Sequence, residues 1–429
     1  MKLVSLTMDP FVLMFLVVAL GLALGQAKIG RFSLGNSGPL FVGLAVGWGV
    51  FRLSSHIIER GEGADGYGDA LRILEGGVIH SHFFNVALML FVASVGLLAA
   101  KDMRVVLKKY GGRFIALGLL ITFIGALSTY AATSLMNEMD PYEVAGVYTG
   151  ALTSSPGLAA ALETAEDHAT RQAAGLSKEE QTLYIREAKA GVGAGHAIGY
   201  PFGVLIVILA VNFLPALFRI DVEEEKRRYR IEMETARALD GRSDQDKEPF
   251  RMVPFAVTCL AGYLVGSIQI PLGALGRFSL GATGGILLLG LALGSIGKIG
   301  PLSFRMDAKA LALLREIGLS FFLAIVGLNY GYKAVEALLV SGTSLALLSL
   351  GIGFISVMAG FLVGRYVFRL NWVMLAGALC GGMTSTPGLG TAISSLKSDD
   401  PAAGYGATYP FALVGMILYT ILLHQVPVL

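Results

Sequence analysis

The stretch Thr153-Ser154-Ser155-Pro156-Gly157-Leu158 returns almost unchanged as Thr384-Ser385-Thr386-Pro387-Gly388-Leu389, each copy inside apolar sequence. A proline in mid-helix removes a ladder hydrogen bond at a cost of about 3 kcal/mol, and the glycine beside it permits local unwinding. Three hydroxyls then stand next to freed backbone groups. In lipid, such a break is tolerated only where protein buries it or where it lines a wet cavity. Two copies at matching places in one chain predict a shared polar cavity at membrane depth rather than two incidental kinks.

The bulk of the chain agrees with a membrane setting. Of 429 residues, 54% are hydrophobic and only 15% charged, against roughly 25% charged in soluble domains, and the mean hydropathy is +0.67. The net charge of +2 gives no ground for a nucleic-acid partner; the partner implied by composition is the lipid bilayer. Cys259 and Cys380 both lie in apolar stretches, so neither a disulfide framework nor a metal cluster is legible. Glycines spaced for close helix contact occur at Gly21 and Gly25, Gly43 and Gly47, and Gly290 and Gly294.

The duplication extends over most of the chain. Val95-Gly96-Leu97 precedes Thr153 by 58 residues, and Val326-Gly327-Leu328 precedes Thr384 by the same 58. Tyr200-Pro201-Phe202 and Tyr409-Pro410-Phe411 follow the two motifs, the first after a polar insertion between Glu163 and Lys189. The opening apolar run from Phe11 to Gly25 resembles a signal-peptide core, but Pro254 to Ile270 repeats it deep in the chain. Both runs lead into the identical hexapeptide Gly-Arg-Phe-Ser-Leu-Gly, at 30 to 35 and 276 to 281, so the first is read as a spanning helix. The expected fold is an all-α membrane protein of two inverted repeats. Each repeat would have about five transmembrane helices plus a re-entrant or broken helix carrying the Pro-Gly tip.

The expected units are residues 1–218, a charged cytoplasmic linker over 219–252, and residues 253–429. Short-loop Lys and Arg set orientation. Lys101, Arg104, Lys108, Lys109 and Arg113 mark one cytoplasmic loop and Lys298, Arg305 and Lys309 another, which places the N-terminus outside. The loop with Arg171, Lys178, Arg186 and Lys189 falls outside and runs against the bias, although long loops follow it poorly.

Hydroxyls and unpaired N–H groups near helix N-termini favour an anion, typically a carboxylate. Arg315, several residues inside an apolar run, is a candidate carboxylate clamp; the competing reading is an arginine snorkelling to the membrane edge. Asn329 is a candidate cavity residue or a helix-to-helix tie, and His196 a candidate for substrate or proton binding or an interfacial histidine. His80-Ser81-His82 lacks companion ligands for a metal, and the glycine pattern at Gly61 to Gly66 lacks the strand a nucleotide loop needs. A membrane hydrolase using Ser154 and His196 lacks a nucleophile elbow, and the second copy has no histidine in the matching place, so no enzyme is expected. The span centres hold essentially no Asp, Glu or Lys. That favours exchange, or coupling to Na+ through carbonyls and hydroxyls, over a carboxylate proton relay, and no cofactor is expected.

Two apolar halves, each with Val-Gly-Leu, then Thr-Ser-[Ser/Thr]-Pro-Gly-Leu, then Tyr-Pro-Phe, resemble the aspartate:alanine exchanger family of bacterial membrane transporters. The resemblance implies an antiporter of the inner membrane for an acidic amino acid or small carboxylate, working as a homodimer by an elevator-like movement. A sodium-coupled carboxylate symporter is the alternative. Carried over position by position, it assigns substrate binding to Thr153, Ser154, Ser155, Pro156 and Gly157 in the first tip. The second tip supplies Thr384, Ser385, Thr386, Pro387 and Gly388. Many members carry soluble regulatory domains between the halves; this chain has only its charged linker there.

Overall fold

A computed structural model describes residues 6–26, 28–29, 32–33, 38–100, 103–135, 140–239, 249–271, 277–278, 280–339 and 343–425. Parts of both hexapeptides, Lys101 and linker residues 240–248 lie outside the described residues, as do the side chains of Arg104 and Pro156. The first half comprises α1 (Pro10–Gln26), a hairpin of β1 (Lys28–Ile29) and β2 (Phe32–Ser33), α2 (Gly38–Glu59), α3 (Tyr67–Gly76), α4 (Ser81–Ala99), α5 (Met103–Leu135), α6 (Pro141–Ala151), α7 (Ser155–Gln172) and α8 (Lys178–Leu217). The linker contains α9 (Val222–Leu239). The second half repeats the order with one exchange, a hairpin where the first half has α3: α10 (Met252–Ser267), a hairpin of β3 (Ile270–Pro271) and β4 (Arg277–Phe278), α11 (Gly281–Ile296), a hairpin of β5 (Lys298–Ile299) and β6 (Leu302–Ser303), and α12 (Ala308–Leu339). It closes with α13 (Thr343–Leu362), α14 (Trp372–Gly382), α15 (Thr386–Leu396) and α16 (Pro401–Gln425).

The chain is an all-α membrane protein. Among the described residues seven helices are long and apolar enough to cross a membrane, and α1, α10, α11 and α14 are shorter but apolar. The three two-residue ladders are the only departures from helix that carry paired strands among the described residues, and two of them take in part of the repeated hexapeptide.

The two halves do not fold side by side. In one bundle, α1, α2 and α4 pack with α10, α11 and α12; in the other, α5 to α8 pack with α13 to α16. The first bundle is closed by glycines at reciprocal crossings. A Cβ on Gly327 of the second Val-Gly-Leu would sit 2.4 Å from the Leu40 carbonyl oxygen on α2, and one on Gly47 only 2.2 Å from the Leu328 carbonyl oxygen. Gly96 of the first Val-Gly-Leu meets α11 in the same way, 2.8 Å from the Leu287 oxygen and 3.2 Å from Gly290. Each Val-Gly-Leu therefore packs on a glycine-spaced helix of the opposite half, because only glycine lets two helix backbones approach so closely.

The polar insertion is a helical extension. α7 continues to Gln172, a turn follows, and α8 restarts at Lys178 behind a capping box in which Ser177 and Glu180 bond each other's backbone N–H. The linker differs from a free aqueous segment, since α9 lies against the second bundle. The buried Glu225 carboxylate accepts 3.1 Å bonds from both terminal nitrogens of Arg365 and a 2.6 Å bond from the Trp372 N–H. Asn371 donates to the Glu225 carbonyl at 2.8 Å, and Lys109 on α5 pairs with Glu232 at 2.6 Å. Charge composition alone reads this helix as solvated, whereas one face of it is bonded to both halves.

Candidate functional site

Each tip is a break between two capped helices. Asp140 caps α6 and Asn371 caps α14 through side-chain bonds to the N–H two residues on. Both helices are 11 residues long, about 16 Å at 1.5 Å per residue, roughly half of a bilayer core. They stop where Thr153 (φ 53°) and Thr384 (φ 50°) turn into the left-handed region, a conformation that costs a β-branched residue about 1–2 kcal/mol. A new helix then starts at once. Ser154 caps α7 by accepting the Gly157 N–H at 3.0 Å, and Ser385 caps α15 by accepting the Gly388 N–H at 3.2 Å. Pro156 and Pro387 accordingly lie in the first turn of a fresh helix, where a missing N–H costs nothing, instead of kinking a continuous one.

The threonines spend the strain on a mutual bond. Thr153 donates its hydroxyl to the Met383 carbonyl at 3.0 Å, and Thr384 donates to the Leu152 carbonyl at 2.7 Å. Each acceptor is the residue just before the other threonine. The two tips thus meet at one point, each satisfying the carbonyl of the residue that caps the C-terminal end of the other's first helix.

Beside them lies a cavity of about 350 Å³, lined from the tip-bearing bundle by Thr153, Ser155, Tyr200, Thr384, Thr386 and Tyr409. The facing wall comes from the other bundle: Phe84, Asn85 and Leu88 of α4, Gly281, Ala282 and Thr283 of α11, and Phe322 of α12. None of these lining residues is charged. The Ser155 hydroxyl makes no hydrogen bond to any described residue, and Thr386 has only a 3.4 Å contact with the Tyr405 hydroxyl. Both stand at the first turn of their helices, where the partial positive charge of the N-terminus favours an anion.

The expected binding positions therefore divide. Thr153, Ser155, Thr384 and Thr386 line the cavity, while Ser154, Ser385, Gly157 and Gly388 build the caps behind it and Pro387 is buried. Ser154→Ala is expected to lower stability by about 1 kcal/mol through the lost cap. A drop in thermal midpoint of the purified protein, with substrate affinity retained per folded molecule, would separate cap from ligand.

Arg315, Asn329 and His196 do not line the cavity. Arg315 is tied in an ion pair to Asp399, in the turn after α15, so its guanidinium has a carboxylate partner within the chain. Asn329 accepts from the Ile79 N–H and donates to the Ile79 carbonyl, both at 2.9 Å, and so clips the start of α4 onto α12. Buried His196 bonds the Thr149 hydroxyl through Nδ1 at 2.9 Å where α6 packs on α8. His80 accepts the His82 N–H as the cap of α4, and no group of three potential metal ligands occurs among the described residues. Tyr200 and Tyr409, which sequence reasoning used only as spacing marks in Tyr-Pro-Phe, are lining residues; their recurrence after each motif was the available signal.

A cavity at the junction of two interlocked halves is where a carrier would hold its cargo, and the relatives of this sequence point the same way. The aspartate:alanine exchanger family model, described as predicted permease membrane region, matches residues 66–216 and 254–425. The chain belongs to this family. The matched segments take in the first half from α3 to α8 and nearly all of the second half, and leave out α1, α2 and α9. Among its relatives, a protein of Bacteroides thetaiotaomicron described as an uncharacterized transporter is 24% identical over 95% of this chain and 96% of its own length. A second uncharacterized transporter, from Geobacter sulfurreducens, is 24% identical over 96% of this chain and 97% of its own. One from Rhodopirellula baltica is 42% identical across 36% of this chain and 28% of its own. The Bacteroides alignment runs over 560 residues, so that relative carries segments that this 429-residue chain lacks. The family and its relatives make the protein a multi-pass membrane transporter.

Proposed function

We propose that the protein is an antiporter that exchanges an acidic amino acid or a small carboxylate across the bacterial inner membrane by an elevator-like movement. The observation that carries this reading is the cavity, because one wall belongs to the tip-bearing bundle and the other to the bundle around α4, α11 and α12. Substrate held there leaves with one bundle and loses the other, which is alternating access by sliding rather than by opening a hinge. The matching element order and the reciprocal tip bonds support two inverted repeats divided at residues 218 and 253. In that arrangement the N-terminus lies outside, α9 lies in the cytoplasm, and a homodimer would hold the bundle around α4, α11 and α12 still. The chain's transport class, membrane setting and charge-free lining fit recognition by hydroxyls and helix N-termini.

The test is counterflow in proteoliposomes loaded with unlabelled aspartate, alanine or another small carboxylate, following labelled aspartate with and without a sodium gradient. Uptake that requires a loaded counter-substrate and ignores sodium is the expected result. Sodium-driven uptake into empty vesicles would replace the antiporter with a sodium-coupled symporter. In the same assay Ser155→Ala with Thr386→Ala removes two hydroxyls worth about 1 kcal/mol each, so apparent affinity should fall about thirtyfold. Wild-type counterflow from that double variant would remove the cavity as the binding site.

A further inference from the structure

The lining groups supplied by the tip-bearing bundle come in matched pairs: Thr153 with Thr384, Ser155 with Thr386, Tyr200 with Tyr409. A set matched in this way offers the same donors to either end of a ligand. It can hold a carboxylate, but it does not tell an asymmetric substrate from its reverse, or one short acid from another. The facing wall breaks the symmetry. Asn85 stands ten residues before Val95, and the residue ten before Val326 is Glu316, which is outside the cavity. The neighbour Phe84 corresponds to Arg315, which is bound to Asp399. Asn85 is thus the one described lining residue whose side chain carries nitrogen, and it has no counterpart across the cavity.

The Asn85 carboxamide is half-buried and makes no hydrogen bond to any described residue. Phe84, Leu88 and Phe322 line the same wall, an apolar setting in which each hydrogen bond weighs more than it does in water. A carboxamide both accepts and donates, so it can take an ammonium, a hydroxyl or a second carboxylate. We propose that Asn85 is the specificity-determining residue of the cavity, holding the polar group at the substrate end that points away from the tips. The ligand class is then a small carboxylate bearing one further polar group, sorted by Asn85 after the tips have bound the carboxylate they all share. This inference rests on the antiporter reading above.

Its test uses the full-length chain in proteoliposomes, with aspartate, succinate and alanine as competitors of counterflow. Asn85→Asp puts a fixed negative charge on the sorting wall. The two dicarboxylates should lose at least tenfold in apparent affinity relative to alanine at neutral pH. The loss should shrink as pH falls towards the ordinary carboxylate range, about 4, because the new acid is then neutral. A residue with a merely structural role would not shift a substrate ranking in a pH-dependent way. Asn85→Gln, which keeps the carboxamide, should preserve the ranking while raising KM, and Asn85→Ala should bring the three competition constants together. If Asn85→Asp fails to fold, Asn85→Ala decides, and constants that keep their wild-type spread overturn the proposal. A wild-type ranking in Asn85→Asp at every pH, alongside lost uptake in Ser155→Ala with Thr386→Ala, would leave the cavity standing and remove Asn85 as its selector. Undiminished uptake in that serine and threonine pair would overturn both.

Discussion

Gly377→Ala, the addition of a single methyl group, is expected to cost about 3 kcal/mol, at the top of the usual range for overpacking. A Cβ built on Gly377 would lie 1.8 Å from the Pro401 carbonyl oxygen and 2.6 Å from its carbonyl carbon. These are backbone atoms at the start of α16 and have no rotamer to move into. The same helix pair is locked from the other side by Gly404, whose Cβ would meet the Met374 oxygen at 2.3 Å, and every residue of α14 is buried. Relief would require separating α14 from α16 and with it displacing the second tip. The first half repeats the arrangement, with a Cβ on Gly146 2.1 Å from the Val192 oxygen and one on Gly195 1.9 Å from the Glu143 oxygen. A methyl group on Gly351 of α13 would meet nothing within 4 Å among the described residues, so Gly351→Ala should be neutral or stabilise by up to about 1 kcal/mol through helix propensity. Thermal midpoints in detergent check both. Equal midpoints for the two alanine variants would show that α14 and α16 can part without loss.

Glu225→Ala should be nearly as costly, about 3 kcal/mol. The Glu225 side chain is 8% exposed and that of Arg365 27%. Removing one partner of a largely buried pair costs about 3–5 kcal/mol because the other charge stays behind without compensation, and the partial exposure of Arg365 puts this pair at the low end. The variant leaves the guanidinium with only the Leu370 carbonyl at 3.3 Å and strips the Trp372 N–H of its acceptor. Hydrogen exchange is the direct measurement. α9 should lose protection first, followed by the N-terminal turn of α14. Adding Arg365→Ala should recover part of the loss, since the orphaned charge goes with it. Unchanged protection of α9 in Glu225→Ala would mean that the helix is held by other contacts.

Much of this architecture is readable from the sequence alone, because duplicated spacing does not depend on how the copies pack. The 58-residue separation from Val-Gly-Leu to the motif aligns the halves, and the order of helices follows it. The candidate site was legible as a location and much less so as a set of contacts. Nothing in Thr-Ser-Ser-Pro-Gly distinguishes a hydroxyl that caps a helix from one that faces a cavity. That division follows from where the helix restarts, which puts Ser154 at the cap and Ser155 one residue on, in the first turn. Arg315 reads as an isolated cation in an apolar run because its partner Asp399 is 84 residues away. Glu225 reads as one more acid in Glu223-Glu224-Glu225, and only the docking of α9 selects the one that turns inward. Asn85 lies in an ordinary apolar helix and becomes notable only when α11 and α12 close the wall around it.

The crossed threonine bonds bear on how such a chain can change over generations. Thr153 relies on the backbone ahead of Thr384, and Thr384 on the backbone ahead of Thr153. A substitution that reshapes one copy leaves the other with a hydroxyl and a carbonyl out of register, so neither copy drifts alone. The surrounding sequence of the two halves has diverged widely, down to an insertion present in one and absent from the other. The two tip motifs still differ at a single position, Ser155 against Thr386, and that is the hydroxyl that faces the cavity and bonds neither tip to the other.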